Sequence, residues 1–138
     1  MGSVIYYSQL KYEEKKINRL LIYYYAIKIQ NESKSISKEM ANELLKCKPN
    51  RRSVKLERIF NSILDKYPSG VIIKDIDVMF NPEYQVDVLK ILIEARKRKL
   101  YSVIWPGKFE DEKLIYSEEG YPDYKVYKIA DYDITCVR

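Results

Sequence analysis

Histidine is absent from this sequence of 138 residues. Its absence removes the usual general base, the commonest zinc ligand and every Ser-His or Cys-His nucleophilic arrangement. Metal or nucleophilic chemistry would therefore have to depend on carboxylates or lysines. The sequence predicts no catalytic residue, no metal site and no cofactor, and it disfavours an enzyme.

Cysteine is scarce, and long apolar runs are missing. Cys47 and Cys136 lie far apart, which favours two unpaired thiols in a reducing compartment, although a single disulfide stays open. No run approaches the roughly 18 apolar residues of a membrane span, and the N-terminal residues show no basic segment followed by an apolar run and a small-residue cleavage site. We expect a cytoplasmic protein without a membrane partner. Residues 1–3 resemble an artificial addition and are set aside.

Glycine is also rare, with four residues in all and none between Gly2 and Gly70. Phosphate-binding loops need glycine because only a residue without a side chain lets the backbone N–H groups curl around the anion. The first half of the chain therefore lacks the means to build such a loop in its usual form.

Apolar residues make up 46% of the chain, enough to fill one core, and we expect a single domain over residues 1–138. The net charge of +5 is uneven. Residues 1–69 carry fourteen Lys or Arg against seven Asp or Glu, whereas the rest of the chain is mildly acidic. This asymmetry favours an anionic partner for the first half.

The hydrophobic pattern predicts alternating helices and strands. Helices are expected to end near Asn18, to run from Ile36 to before Pro49, to cover Leu56–Tyr67 and to begin at Asn81-Pro82. Strands are expected at Val4–Tyr7, Arg19–Ala26, Val71–Ile76, Tyr101–Trp105, Leu114–Ser117, Tyr124–Ile129 and Ile134–Val137, with a polar turn over Gln30–Ser37. This order predicts an α/β fold: a three-layer parallel sheet with helices on both faces and a β-rich C-terminal end.

One segment resembles a degenerate phosphate loop. A strand ending near Ala26 leads into residues 28–35, where Lys34-Ser35 matches the end of Gly-x-x-x-x-Gly-Lys-Ser but both glycines are replaced. Glu32 would place a carboxylate in the anion nest. An ordinary polar loop is the favoured interpretation. Asp75, at the end of an apolar strand, has the position of a magnesium ligand, although such strand ends are common. Lys34, Ser35 and Asp75 are thus at most a vestigial nucleotide site.

Two groups of basic residues stand out. Arg96-Lys97-Arg98-Lys99 closes a helix, where cations complement the helix dipole. The other group surrounds a helix start, where cations are mildly unfavourable, so contact with nucleic acid or another anion is the alternative to a solvated surface. Its members are Lys46, Lys48, Arg51, Arg52, Lys55 and Arg58.

The second half resembles BrxF-like proteins, small P-loop proteins of type 3 BREX phage-defence systems. The resemblance lies in the segments 75–82, 89–96, 103–107 and 114–124, including Trp105-Pro106-Gly107. It implies a P-loop-NTPase-like fold, an ATPase role in recognising or modifying DNA, and larger partners. The chain departs from the family where ATPase chemistry would lie, because the phosphate loop is degenerate or missing.

Three functions follow as hypotheses. The first is a non-catalytic P-loop-ATPase-like protein that binds a partner protein or DNA in a phage-defence or mobile-element setting. The second is a divergent ATPase of a BREX-type system. The third is a small nucleic-acid-binding protein of an archaeal virus or plasmid. A protein partner or a homo-oligomer is expected in the first case, and nucleic acid is a further candidate partner.

Overall fold

The computed structural model describes residues 1–10, 19–24 and 32–138. The predicted helix ending near Asn18 lies outside these residues. The helices are α1 (Ser37–Leu45), α2 (Arg52–Leu64) and α3 (Val88–Arg98). The strands are β1 (Ser3–Ile5), β2 (Leu20–Tyr23), β3 (Lys34–Ser35), β4 (Val71–Lys74), β5 (Tyr101–Ile104), β6 (Lys108–Glu110), β7 (Lys113–Tyr116), β8 (Lys125–Lys128) and β9 (Ile134–Val137). The chain is therefore of the mixed α/β class.

Six strands form one parallel sheet in the order β1-β9-β2-β5-β4-β3. β2 and β5 are buried along their whole length, as expected for short apolar strands enclosed on both sides. β9 returns from the end of the described chain and lies between β1 and β2. The strand at Ile134–Val137 was predicted, but its place inside the main sheet was not.

Side chains of the parallel sheet alternate between two faces. On one face, which we call the helix face, Leu20, Ile22, Ile73 and Val103 belong to the same buried cluster as the inward residues of α1, α2 and α3. Phe60 of α2 is fully buried there. The predicted packing of α2 on the sheet is confirmed.

The opposite face carries a second and smaller cluster. Leu21, Tyr23, Ile104 and Val137 are buried in it, with Leu10 packed against them. The helices of the described ranges contribute their buried side chains to the helix face. A helix layer on the opposite face therefore stays a prediction.

A three-stranded antiparallel sheet, β6-β7-β8, packs near the end of β5. The ring of Phe80 stacks on Tyr116 with centroids 3.9 Å apart and meets Trp105 edge-on at 5.6 Å. Trp105 Nε1 donates to the carbonyl of Ile115 at 3.0 Å. A side chain at Gly107 would place its Cβ 2.0 Å from that same carbonyl oxygen, so glycine is required there. The β-rich end is confirmed, although β6 was not predicted.

The start of α3 differs from its prediction. Asn81 accepts a hydrogen bond from the N–H of Glu83, but it caps only the short 3-10 turn Pro82–Tyr84. Gln85 then takes a left-handed conformation, with φ of 50°, which ends that turn. α3 begins one short loop later, where Asp87 accepts from the N–H of Lys90 at 3.1 Å.

Residues 1–3 take part in the fold, which corrects their exclusion. Ser3 belongs to β1 and pairs with Thr135 of β9. Gly2 packs against the carbonyl of Ile129 so closely that an added Cβ would lie 1.8 Å from its oxygen. The first strand therefore begins at the residues that the sequence pattern had set aside.

Candidate functional site: a basic groove between the first two helices

The corner between α1 and α2 is held by an arginine. α1 ends at Leu45, Pro49 begins a short 3-10 turn, and α2 follows at Arg52. Arg52 Nε donates to the carbonyl of Leu44 at 2.9 Å. This bond satisfies one of the carbonyls that every helix leaves open at its C-terminus, and the positive charge complements the helix dipole.

A groove of about 440 Å³ runs between α1 and α2. α2 contributes positions spaced by three, four and eight residues, which lie on one side of a helix. Cations surround the groove, and we call it the basic groove after Lys46, Lys55, Arg58 and Lys66. The remaining residues that line it are Glu43, Cys47, Ile59, Ser62 and Ile63.

Most of the positive charge of the basic groove is not neutralised by neighbouring carboxylates. Lys46 Nζ lies 3.2 Å from Glu43 Oε1, but both side chains are solvated, and exposed pairs of this kind contribute little. Within the described part of the chain, Lys55, Arg58 and Lys66 form no ion pair. The groove therefore presents cations to solvent next to a half-buried apolar floor, an arrangement suited to an anionic ligand.

The structure separates the six residues predicted to contact nucleic acid. Lys46, Lys55 and Arg58 line the basic groove. Arg52 is used to close α1, and its role is explained without a ligand. Lys48 and Arg51 are exposed on the turn between the helices and do not line the groove.

Sequence reasoning missed Lys66. It lies eight residues after Arg58 and eleven after Lys55, separations that return to the same side of a helix, and it follows α2 in the turn just after Leu64. The spacing is therefore the signal that could have found it. Because Asp65 and Tyr67 flank Lys66, counting charge in local runs did not single it out.

The vestigial nucleotide site is built differently from its prediction. Residues 28–31 lie outside the described residues. Lys34 and Ser35 form the edge strand β3, whereas a polar turn was predicted there. In the register of β3 and β4, Ser35 lies beside Lys74, so Ser35 and Asp75 occupy the same corner of the sheet. Two strands, β4 and β5, separate β3 from β2.

Asp75 and Asp77 do not share a strand. β4 ends at Lys74, and Asp75 follows in a left-handed conformation with φ of 60°, exposed to solvent. Asp77 Oδ2 accepts a hydrogen bond from the hydroxyl of Tyr116 at 3.2 Å. Burial and the neighbouring Asp77 carboxylate raise the pKa of Tyr116. Asp77 therefore connects the main sheet with the antiparallel sheet.

The described ranges contain no group of three or more His, Cys, Asp or Glu side chains placed to hold a metal ion. Cys47 and Cys136 are unpaired, and burial raises the pKa of the Cys136 thiol to about 12. No helix in the described ranges has the length and apolar character needed to cross a membrane. No protein-family model, curated protein or solved structure matches this chain.

Proposed function

We propose that this protein is a non-catalytic, P-loop-ATPase-like protein that acts by binding the phosphate backbone of nucleic acid in its basic groove. The observation that carries the proposal is the row of cations along α2 and the turn after it, at Lys55, Arg58 and Lys66, with Lys46 opposite at the end of α1. Anion contact at these helices needs no chemistry beyond charge and hydrogen bonding.

The length of the row suits a nucleic-acid strand. From Lys55 to the end of α2 at Leu64, nine residues rise by about 14 Å along the helix, and Lys66 follows in the turn after it. One strand of a duplex advances about 3.4 Å per phosphate. The four cations can therefore meet several phosphates in succession. Among the described residues that line the basic groove there is no aromatic side chain on which bases could stack, so we expect affinity without strong sequence preference.

The arrangement of Lys34 and Ser35 supports binding rather than hydrolysis. A phosphate loop places its Lys-Ser at the start of the helix that follows the nucleotide-binding strand. Here Lys34-Ser35 is the edge strand β3, and two strands, β4 and β5, lie between it and the central strand β2. The P-loop-like fold is part of the proposal. β2 lies inside the parallel sheet, where such a loop would begin.

The setting is proposed from the resemblance to BrxF-like proteins. A chain that keeps the strand ends of that family without a working phosphate loop could assist, or compete with, a phage-defence assembly. A protein partner or a second copy of the chain would then act together with the nucleic acid. The divergent ATPase is kept as an alternative because Ser35 and Asp75 meet at one corner of the sheet.

The test measures binding of a mixed-sequence duplex and a single strand by fluorescence anisotropy between 50 and 200 mM salt, the range over which phosphate contacts weaken markedly. Affinity should fall steeply with salt. Removing two phosphate contacts in the double variant Lys55→Ala/Arg58→Ala should reduce the slope of log K against log salt by about 2 for the duplex.

The matched control is Lys125→Ala/Lys128→Ala, which removes the same charge from exposed positions on β8. It should leave the slope nearly unchanged. Equal losses in both double variants would show a general charge effect, and no binding at the lowest salt would refute the proposal. ATP turnover that disappears in Lys34→Ala would favour the ATPase instead.

A further inference from the structure

The carboxyl end of the parallel sheet carries aromatic side chains around one arginine. Tyr6, Arg138 and Tyr24 follow directly after β1, β9 and β2, whose last residues lie side by side in the register of the sheet. The N–H of Arg138 donates to the carbonyl of Ile5 at 3.0 Å, and the N–H of Tyr24 donates to that of Val137 at 2.8 Å. These backbone bonds continue the sheet and hold the three residues in one row.

The three side chains lie on the helix face of the sheet. The residue before each of them contributes to the smaller cluster on the opposite face, and side chains alternate along a strand. Phe109 of β6 packs against the main core and meets them there, with its ring centroid 5.6 Å from that of Tyr24. We call this group the aromatic platform; its members are Tyr6, Tyr24, Phe109 and Arg138.

The guanidinium of Arg138 lies over two rings of the aromatic platform. Its Cζ is 4.9 Å from the ring centroid of Phe109 and 5.5 Å from that of Tyr6, within the range of cation–π contacts. Such contacts use the flat face of the guanidinium, whereas its five N–H donors lie in the plane. In the described part of the chain, the Arg138 side chain forms no hydrogen bond and no ion pair. Its donors are therefore available to an anion.

Tyr6 provides the accessible ring of the aromatic platform. Its side chain is 57% exposed, and that of Arg138 is exposed beside it. Tyr24 and Phe109 are only half-buried and complete the aromatic surface behind them. An exposed ring next to a guanidinium without an ion pair offers a stacking surface to a base and hydrogen-bond donors to a phosphate.

We propose that the aromatic platform binds an unpaired nucleotide, with the base stacked on Tyr6 and the phosphate held by Arg138. A single strand of nucleic acid and a free mononucleotide offer the same base and phosphate, so both are sources of this ligand. A ring alone would accept any flat apolar molecule and an arginine alone any anion, whereas the two together select a ligand that has both groups. The site is separate from the basic groove between α1 and α2, and from Lys34 and Ser35 on the opposite edge strand of the sheet.

The test compares a single strand of about ten thymidines with an abasic strand of the same backbone, by fluorescence anisotropy. Both strands carry the same phosphates, so contacts with the basic groove cancel in the ratio of the two affinities. The strand with bases should bind at least about fivefold more tightly, because stacking on an aromatic side chain requires a base. Calorimetric titration with thymidine monophosphate and deoxyribose 5-phosphate shows whether a free nucleotide has the same preference. Equal affinity within both pairs of probes would overturn the proposal.

Variants of Tyr6 assign the ring. Tyr6→Ala changes an exposed side chain and should remove most of the preference for the strand with bases, whereas Tyr6→Phe keeps the ring and should preserve it. Tyr121→Ala is the matched control, because it removes a ring of similar exposure, 61%, from the turn between β7 and β8. It should leave the preference unchanged. An unchanged preference in Tyr6→Ala would contradict stacking on this ring.

Two further variants separate the aromatic platform from the basic groove. Arg138→Gln removes one phosphate contact, so it should weaken binding of the single strand and reduce the slope of log K against log salt by about 0.7. Lys55→Ala/Arg58→Ala should weaken the two strands alike and keep their ratio, so a failure of the proposed function is distinguishable from a failure of this proposal. An unchanged slope in Arg138→Gln would contradict the phosphate contact.

Discussion

Phe60 is the side chain on which the packing of α2 depends most. It is fully buried, and its ring meets that of Tyr101 edge-on with centroids 6.0 Å apart. Replacing it by alanine should lower the free energy of unfolding by about 3–5 kcal/mol, since the lost transfer energy and the cavity add. That is a large part of the stability of an ordinary domain, about 5–15 kcal/mol. Urea unfolding followed by circular dichroism measures the loss.

Val54 offers a control on the same helix. Its side chain is 68% exposed, so Val54→Ala should change the free energy of unfolding by no more than about 0.5 kcal/mol. A similarly small loss in Phe60→Ala would contradict the packing of α2 on the sheet. Together the two variants distinguish the effect of losing a buried side chain from the effect of changing the helix propensity of α2.

Two residues show why single side chains are hard to assign from sequence. Leu45 fits the apolar stripe of α1 but is 70% exposed, because the helix ends at that residue and the chain turns away from the core. Arg52 belongs to a basic run, yet its guanidinium is directed to the end of the preceding helix. In both cases the role depends on how α1 ends and how α2 follows it, which the local sequence pattern does not show.

At the scale of elements, the start of α3 gives a prediction. Asp87 accepts a hydrogen bond from the N–H of Lys90 and satisfies one of the open donors of the helix. Asp87→Ala should therefore lower the free energy of unfolding by about 1 kcal/mol. The urea midpoint should fall without a change in the dependence of stability on denaturant, since the core is untouched.

Asn81→Ala is the matched comparison. Asn81 makes the same kind of bond, but only to the turn Pro82–Tyr84, so its loss should cost less than that of Asp87. A larger loss at Asn81 would contradict the observed helix start and restore the one expected from Asn81-Pro82. The two variants thus distinguish two possible beginnings of α3 that the sequence alone did not separate.

Elements with a strong local signal were predictable, and elements defined by distant partners were not. The apolar spacing of α2 and the apolar runs of β2, β4 and β5 give their positions, because burial on one or both sides leaves a periodic pattern. β3 has only two exposed residues, and its identity as a strand depends on pairing with β4. The basic groove was predictable in part, through the cations near the start of α2. Lys66 could be assigned to it only from its helical spacing relative to Lys55 and Arg58, not from a local run of charge.

At the scale of the whole molecule, the candidate binding groove lies on one side of the parallel sheet. It is formed between α1 and α2, which contribute their buried side chains to that face of the sheet. The excess of Lys and Arg in residues 1–69 is partly collected into one groove by α1 and α2. Nucleic acid would thus meet a single face.

The tyrosines predict that the free energy of unfolding falls at alkaline pH. The hydrogen bond from Tyr67 to Glu39, followed by burial, raises the pKa of Tyr67 from its ordinary value of 10.0 to about 12, and burial raises those of Tyr101 and Tyr127. Between these two pH values the folded state holds a proton that the unfolded state has released, so stability falls as pH rises through this window.

Urea unfolding at pH values from 9 to 12, spanning the ordinary tyrosine pKa of about 10, measures this decline. The variant Tyr67→Phe should be less stable than the parent chain below the window, because it lacks the hydrogen bond to Glu39, and it should lose stability less steeply within it. Glu39→Gln, which removes the charge but keeps an acceptor, should also reduce the slope. Identical slopes in Tyr67→Phe and the parent chain would contradict a raised pKa of Tyr67 caused by its hydrogen bond to Glu39. The decline in stability would then arise from the other tyrosines, which are buried around the sheet.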